Sequence, residues 1–207
     1  RFMITHKLIG FCCKWIDTPA QVRSLGAKDE CRKYNTGMTT VAWLRRQTTT
    51  DVENKLYDLS MSNIAAVGRL VSKVATLPEA LRMVRLSSDI LPMYTEPTFA
   101  HFWQRHDVAK LVSDRFAEVG NIARQHDVRL SFHPGQFTVL ASETEDVVRR
   151  SILEVEYHAD MARMMGYGAK FQDFKINVHI SGRRGPDGIR AAYGKLTPEA
   201  RNCLTIE

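Results

Sequence analysis

Little in this sequence suits a membrane protein or a disulfide-stapled secreted one. No apolar run is long enough to cross a bilayer, and no secretory signal is visible. Cysteine is scarce, with only Cys12, Cys13, Cys31 and Cys203. None forms a C-x-x-C pair, and the adjacent Cys12 and Cys13 suit buried thiols better than a disulfide framework. A reducing, intracellular setting is therefore expected: cytoplasm or nucleoid, or the nucleus in a eukaryote. There is no Walker loop, and no G-x-G-x-x-G follows the first predicted strand, so a nucleotide-binding sheet gets no support. What is present is an ordinary globular composition, 44% apolar over 207 residues, enough for one sizeable domain. Lys plus Arg (29) exceed Asp plus Glu (23), and the formal charge of +6 favours a polyanionic partner.

The most informative stretch is Val128–Phe137. Alternating Val128, Leu130 and Phe132 predict a strand, and His133 is its last residue before a break. Pro134 cannot donate to a ladder, and Gly135 opens a tight turn that carries Gln136 and Phe137. The arrangement recurs. The run Lys175–Ile180 closes on His179, with Gly182 and Gly185 after it, and Cys203–Glu207 closes on a carboxylate. One polar residue at a strand end is unremarkable; three in the same topological position suit a borderline divalent ion held by two imidazoles and a carboxylate.

Along the chain, Leu8–Cys13 reads as a first strand. A polar, basic region follows to about Gln47, with Pro19, Gly26 and Gly37 and with Arg23, Lys28, Arg32, Lys33, Arg45 and Arg46. It is either a solvated loop or a phosphate-contacting one. The spacing of Leu56, Leu59, Ile64, Val67 and Leu70 predicts a helix from Asp51 to about Lys73. Met83–Leu86 reads as a second strand. One long helix is expected over Thr98–His126 and another from Thr144 to about Met165. A shorter helical segment around Ile189–Arg201 is interrupted near Gly194 and Pro198. His6, His106, His126 and His158 repeat no position and read as surface or helix residues. Strands alternating with crossovers this long predict parallel pairing. The fold class is α/β, about the first five units of a (β/α)8 barrel, with a five-stranded open sheet as the alternative. In such a barrel the active site lies at the C-terminal ends of the strands.

The motifs Ser-Phe-His133-Pro-Gly-Gln-Phe, Arg-Leu-Ser87-Ser88-Asp-Ile-Leu-Pro92, Asn177-Val-His179-Ile-Ser-Gly and Leu-Thr-Ile-Glu207, in this order, resemble the UV damage endonuclease family. So do Ile-Gly-Phe11 on the first strand and Asn63 in the helix before Ser87. The resemblance runs along nearly the whole chain and implies a metal-dependent TIM barrel, related in design to the three-metal apurinic endonucleases. That family nicks DNA on the 5′ side of UV photoproducts and other lesions.

Carried over by match, His133, His179 and Glu207 would hold a metal, with Glu207 bridging to a second ion. Gln136 and Phe137 would probe the lesion site, Phe11 would stand near the flipped dinucleotide, and Ser87 and Ser88 would contact phosphates or merely end their strand. Where the family commonly has a histidine near the scissile phosphate, this chain has Thr95-Glu96. Glu96, or His101 from a shifted loop, would then serve there. Divalent metal ions are the expected cofactor, manganese first, with zinc or magnesium as alternatives. The expected partner is damaged double-stranded DNA, bound by a monomer and away from membranes. Residues 1–207 are expected to form a single TIM-barrel domain truncated at its C-terminus, so the isolated chain should cleave DNA poorly. Two rivals stay open: a metal-dependent sugar isomerase or epimerase on the same barrel, and a non-catalytic lesion-binding fragment.

Overall fold

A computed structural model describes residues 7–16 and 31–207. His6, Pro19, Arg23, Gly26 and Lys28 lie outside the described residues. Five strands, β1 (Phe11–Cys12), β2 (Met83–Arg85), β3 (Arg129–Phe132), β4 (Lys175–Val178) and β5 (Leu204–Ile206), form one sheet in the order β1-β2-β3-β4-β5. Every neighbouring pair is parallel, in a register that sets Phe11 beside Val84, Val84 beside Leu130, Phe132 beside Ile176 and Ile176 beside Leu204. The order never reverses, so strands adjacent in sequence are adjacent in space. Ser131 is buried as well as Leu130 and Phe132, so β3 is covered on both faces, as parallel strands require.

Helices fill the crossovers: α1 (Val41–Leu44), α2 (Thr49–Ala75), α3 (Ala100–Trp103), α4 (His106–Gln125), α5 (Glu145–Met164), α6 (Gly185–Tyr193) and α7 (Pro198–Cys203). The start of α2 is capped by Thr48, whose hydroxyl accepts from the Asp51 N–H and donates to the Asp51 carboxylate. Its buried face (Val52, Leu56, Ile64, Val67, Leu70, Val71, Val74) keeps the three-to-four spacing that the sequence shows. Asn63 also lies on that face. Its amide oxygen accepts from Gly37 N–H, and its NH₂ donates to the carbonyls of Gly37, Asp89 and Ile90. One buried side chain thereby pins the loop after β2 to the loop before α1.

Three local expectations change. The long helix over Thr98–His126 is broken into a 3₁₀ turn (Pro97–Phe99), α3 and α4, with Arg105 extended between them at φ −62° and ψ 128°. The break lets Phe99, Phe102 and Trp103 all turn inward, with Trp103 against Tyr94 at 5.5 Å. Arg105 is held at the break by Glu53 and Asp107. The first strand pairs only over Phe11–Cys12, and Ile9 is exposed. Cys203 ends α7 rather than starting a strand; burial pushes its thiol up to about 12.

Helices α4 and α5 approach closely where Gly120 meets the end of α5. A β-carbon at Gly120 would lie 1.9 Å from the Met165 carbonyl oxygen, whereas one at Gly68 would meet nothing nearer than Val119 Cγ2 at 3.6 Å. Both glycines are helical, so a bare propensity argument treats them alike. Gly120→Ala is expected to cost at least about 2 kcal/mol by forcing backbone apart. Gly68→Ala should stabilise by about 0.5–1 kcal/mol. Chemical denaturation of the two variants measures this; equal shifts of the same sign would contradict the close crossing.

Candidate metal centre

Parallel register decides what meets at the edge of the sheet. His133 directly follows β3, His179 follows β4 and Glu207 follows β5. Pairing continues through these positions: Glu207 N–H donates to the Val178 carbonyl at 3.0 Å, and Ile180 N–H donates to the Glu207 carbonyl at 2.7 Å. The three side chains therefore project side by side. His133 Nε2 lies 2.6 Å from Glu207 Oε1, His179 Nδ1 lies 3.9 Å from the same oxygen, and the two rings are 4.5 Å apart. One ligand-capable atom from each residue falls within 4.8 Å of the others. Among the described residues, no other group of three or more His, Cys, Asp or Glu does this.

The donor set fits a divalent ion. Metal–ligand bonds of about 2.0–2.2 Å place neighbouring ligand atoms roughly 3–3.5 Å apart, within the spread seen here. His133 Nδ1 lies 2.9 Å from the Pro134 carbonyl, which accepts its proton. That bond orients the ring and leaves Nε2 as the atom that faces Glu207, the arrangement that ligating histidines use. The site is also accessible, because the side chains of His179 and Glu207 are each half exposed.

The remaining candidates fall into distinct places. Gln136 and Phe137 sit on the tight turn after His133, closed by Thr138 N–H donating to the Gly135 carbonyl. Phe137 is 84% exposed, so its ring stands in solvent and is not packed into the core beneath the loop. Phe11 is half-buried and packs edge-to-face on Trp15 at 5.4 Å. Ser87 is buried two residues beyond β2; its hydroxyl accepts from the Asp89 N–H and from the Thr36 hydroxyl. The Ser88 hydroxyl is engaged by His158 at 2.8 Å. Glu96 is half-buried, accepts from the Thr98 hydroxyl, and lines a groove of about 650 Å³ together with Gly135, Phe137, Arg149 and Glu154. His101 is not brought to the strand ends. It stands on α3 with Nε2 3.8 Å from Glu53 of α2, because the break before α4 turns the apolar side of that segment inward and leaves His101 outside.

His158, expected on the surface or on a helix, lies on helix α5. It is fully buried, not a surface residue. The signal was available: with Ser151, Val155 and Ala162 it occupies the inward stripe of α5. Burial pushes its pKa down to about 4, against the opposing pull of the Glu154 carbonyl, so the ring is neutral. The adjacent Glu154 carboxyl is raised, first by burial and then by Asp89.

Comparison with known proteins points one way. The model of the family described as UV-endonuclease UvdE matches residues 21–205. A Bacillus mycoides protein named UV DNA damage endonuclease is 27% identical over 150 residues, which is 72% of this chain and 43% of that protein. A Neurospora crassa UV-damage endonuclease is 29% identical over 133 residues, 61% of this chain and 20% of its own length. This chain thus spans less than half the length of the curated relatives it matches. The solved structure described as "Crystal Structure of SacUVDE" superposes with a TM-score of 0.71 at 22% identity, over 97% of this chain and 60% of that one. At that identity the likeness speaks for the fold.

The neutral, buried His158 makes a pH prediction. Its folded pKa lies below the unfolded value, so its contribution is present above about pH 6.5 and is lost as pH falls through about 4. This one group should remove about 3 kcal/mol of stability across that window. Urea unfolding at pH 7 and pH 4 is expected to show a larger loss for the native chain than for His158→Gln. Equal losses would place the ring in solvent.

Proposed function

This chain belongs to the UV-endonuclease UvdE family, and from that membership we propose that it carries the first five units of a (β/α)8 barrel that nicks DNA 5′ to UV photoproducts. The observation that carries the reading is the convergence of His133, His179 and Glu207 at the C-terminal edge of five parallel strands. In such a barrel that edge is the catalytic one. An uninterrupted strand order is what a closing barrel needs, and it gives no support to a doubly wound open sheet. A complete eight-fold barrel takes roughly 250 residues, more than this chain has. Family membership favours the endonuclease reading over the sugar isomerase one.

His133 Nε2, His179 Nδ1 and the Glu207 carboxylate would hold the ion, manganese first, with zinc or magnesium as alternatives. When bound, a divalent ion neutralises phosphate charge and lowers the pKa of a coordinated water. The chain's own residues do the rest. Gln136 and Phe137 lie on the turn that begins at His133, so whatever they contact is fixed relative to the scissile site. A photodimer weakens pairing and stacking, and extruding it costs less than extruding an intact step. Phe137 supplies a ring to stack in the resulting gap and Gln136 an amide to hydrogen-bond there. A ring left 84% exposed is paid for once a base covers it. Glu96, in the groove beside Phe137, stands where the substrate backbone would pass. The excess of basic residues favours a polyanionic partner, and family membership makes damaged duplex DNA the one proposed.

The test is incision of a duplex carrying a single pyrimidine dimer by the natural protein that contains this chain, with manganese. A nick on the 5′ side of the dimer, absent from undamaged duplex and abolished by chelation, is expected. Gln136→Ala combined with Phe137→Ala should lower incision at least about tenfold, since base stacking alone is worth about 1–3 kcal/mol. Manganese binding by that variant should be unchanged. Full incision by the double variant would return both residues to a structural role; lesion binding without any incision would favour a non-catalytic lesion binder.

A further inference from the structure

The loop after β2 and the end of β3 are joined from below by two consecutive side chains of α5. Tyr157 takes the main chain: its hydroxyl donates to the Ser88 carbonyl at 2.7 Å and accepts from Leu91 N–H at 3.0 Å. His158 takes the side chain. Its Nδ1 lies 2.7 Å from the Glu154 carbonyl, which can only accept, so Nδ1 carries the proton. Nε2 of the neutral ring is then an acceptor, and the Ser88 hydroxyl must donate to it, at 2.8 Å. The same Ser88 oxygen lies 3.4 Å from the His133 carbonyl oxygen, a contact without a hydrogen bond once the hydroxyl proton is committed to Nε2; the His158 ring reaches β3 by packing edge-on against Phe132 at 5.2 Å.

We propose that His158 is a positioning residue for His133: held in orientation by Ser88 and packed on Phe132, it fixes the strand end from which that imidazole projects. The polar chemistry argues for it. A fully buried imidazole is costly unless both nitrogens are satisfied, and a phenylalanine would fill the same space without that requirement. What the imidazole adds is direction. It commits the Ser88 proton inward and turns the oxygen lone pairs towards the groove that Ser88 shares with Asp89 and Glu154. Ser88 is thereby a poor donor to a phosphate and a good acceptor, the opposite of a phosphate-contacting serine. The trio Ser88, His158 and Glu154 looks like a nucleophile relay, but Nδ1 rests on the Glu154 backbone carbonyl while the carboxylate oxygen is 3.7 Å away. The geometry is that of a brace.

The inference rests in part on the metal reading, and its test separates the two. Glutamine can place its carbonyl where Nε2 stands and keep the bond to Ser88. Asparagine reaches only the Glu154 side and loses it. Amide hydrogen exchange is followed on the metal-free chain for His158→Gln, His158→Asn and Ser88→Ala, together with manganese affinity by calorimetry. Exchange across Arg129–Phe132 should rise at least about tenfold over the native chain in the Asn and Ala variants, while the Gln variant stays within about twofold. Manganese should bind about tenfold more weakly in the first two and near normally in the third. Equal behaviour of the Gln and Asn variants, or exchange that rises uniformly over all five strands, would overturn the brace. A native chain that holds no manganese would refute the metal reading alone, and the exchange comparison would still decide the brace.

Discussion

Parallel pairing in register is the constraint on which the rest depends. Five strands that run the same way deliver their last residues to one edge, whatever those residues are. Here the hydrogen bonds from Glu207 N–H to Val178 and from Ile180 N–H to Glu207 carry the ladder one residue past the apolar strands. The chain need not fold a special loop to gather two imidazoles and a carboxylate. The core beneath them, Phe132 on Phe174 and on His158, holds the strands at their spacing. A one-residue slip of β5 would turn Glu207 to the other face and leave two histidines with no carboxylate between them.

Around this edge the polar side chains buried under the loops act as ties rather than as reagents. Asn63 joins the loop before α1 to the loop after β2 through four bonds to backbone groups. Tyr157 and His158 join that same loop to α5 and to the end of β3. Each tie spans elements distant in sequence, so each restricts loops that short-range turn chemistry would leave free. Phe137, by contrast, is presented on a tight turn with nothing over it. The contrast is between loops tied from beneath and a ring left open to whatever approaches the site.

Much of this was legible in the chain. The strand ends could be read because apolar alternation stops abruptly at Pro134 and at Glu207, and because the same pattern occurs three times. The helices α2 and α5 could be read from long, regular stripes. The break before α4 could not, because Phe99, Phe102 and Trp103 continue the helical spacing, and only their packing against Tyr94 decides that the segment turns. His101 was misjudged for the same reason: its direction depends on a kink that the pattern hides. His158 was expected on a helix or the surface; it is on the helix, and only its burial went unread. Its place on the apolar stripe was visible, but a histidine there reads as an interruption until its two hydrogen-bond partners, one local and one 70 residues away, are known.

The central claim is that the strand ends form a divalent-metal centre. It is tested most directly by diffraction from crystals grown with manganese, collected at a wavelength where manganese scatters anomalously. The account predicts an anomalous peak within about 2.0–2.3 Å of His133 Nε2, His179 Nδ1 and a Glu207 oxygen, with the His133–Glu207 contact opened to admit it. A manganese peak bound elsewhere, with the 2.6 Å His133–Glu207 contact intact, would contradict it.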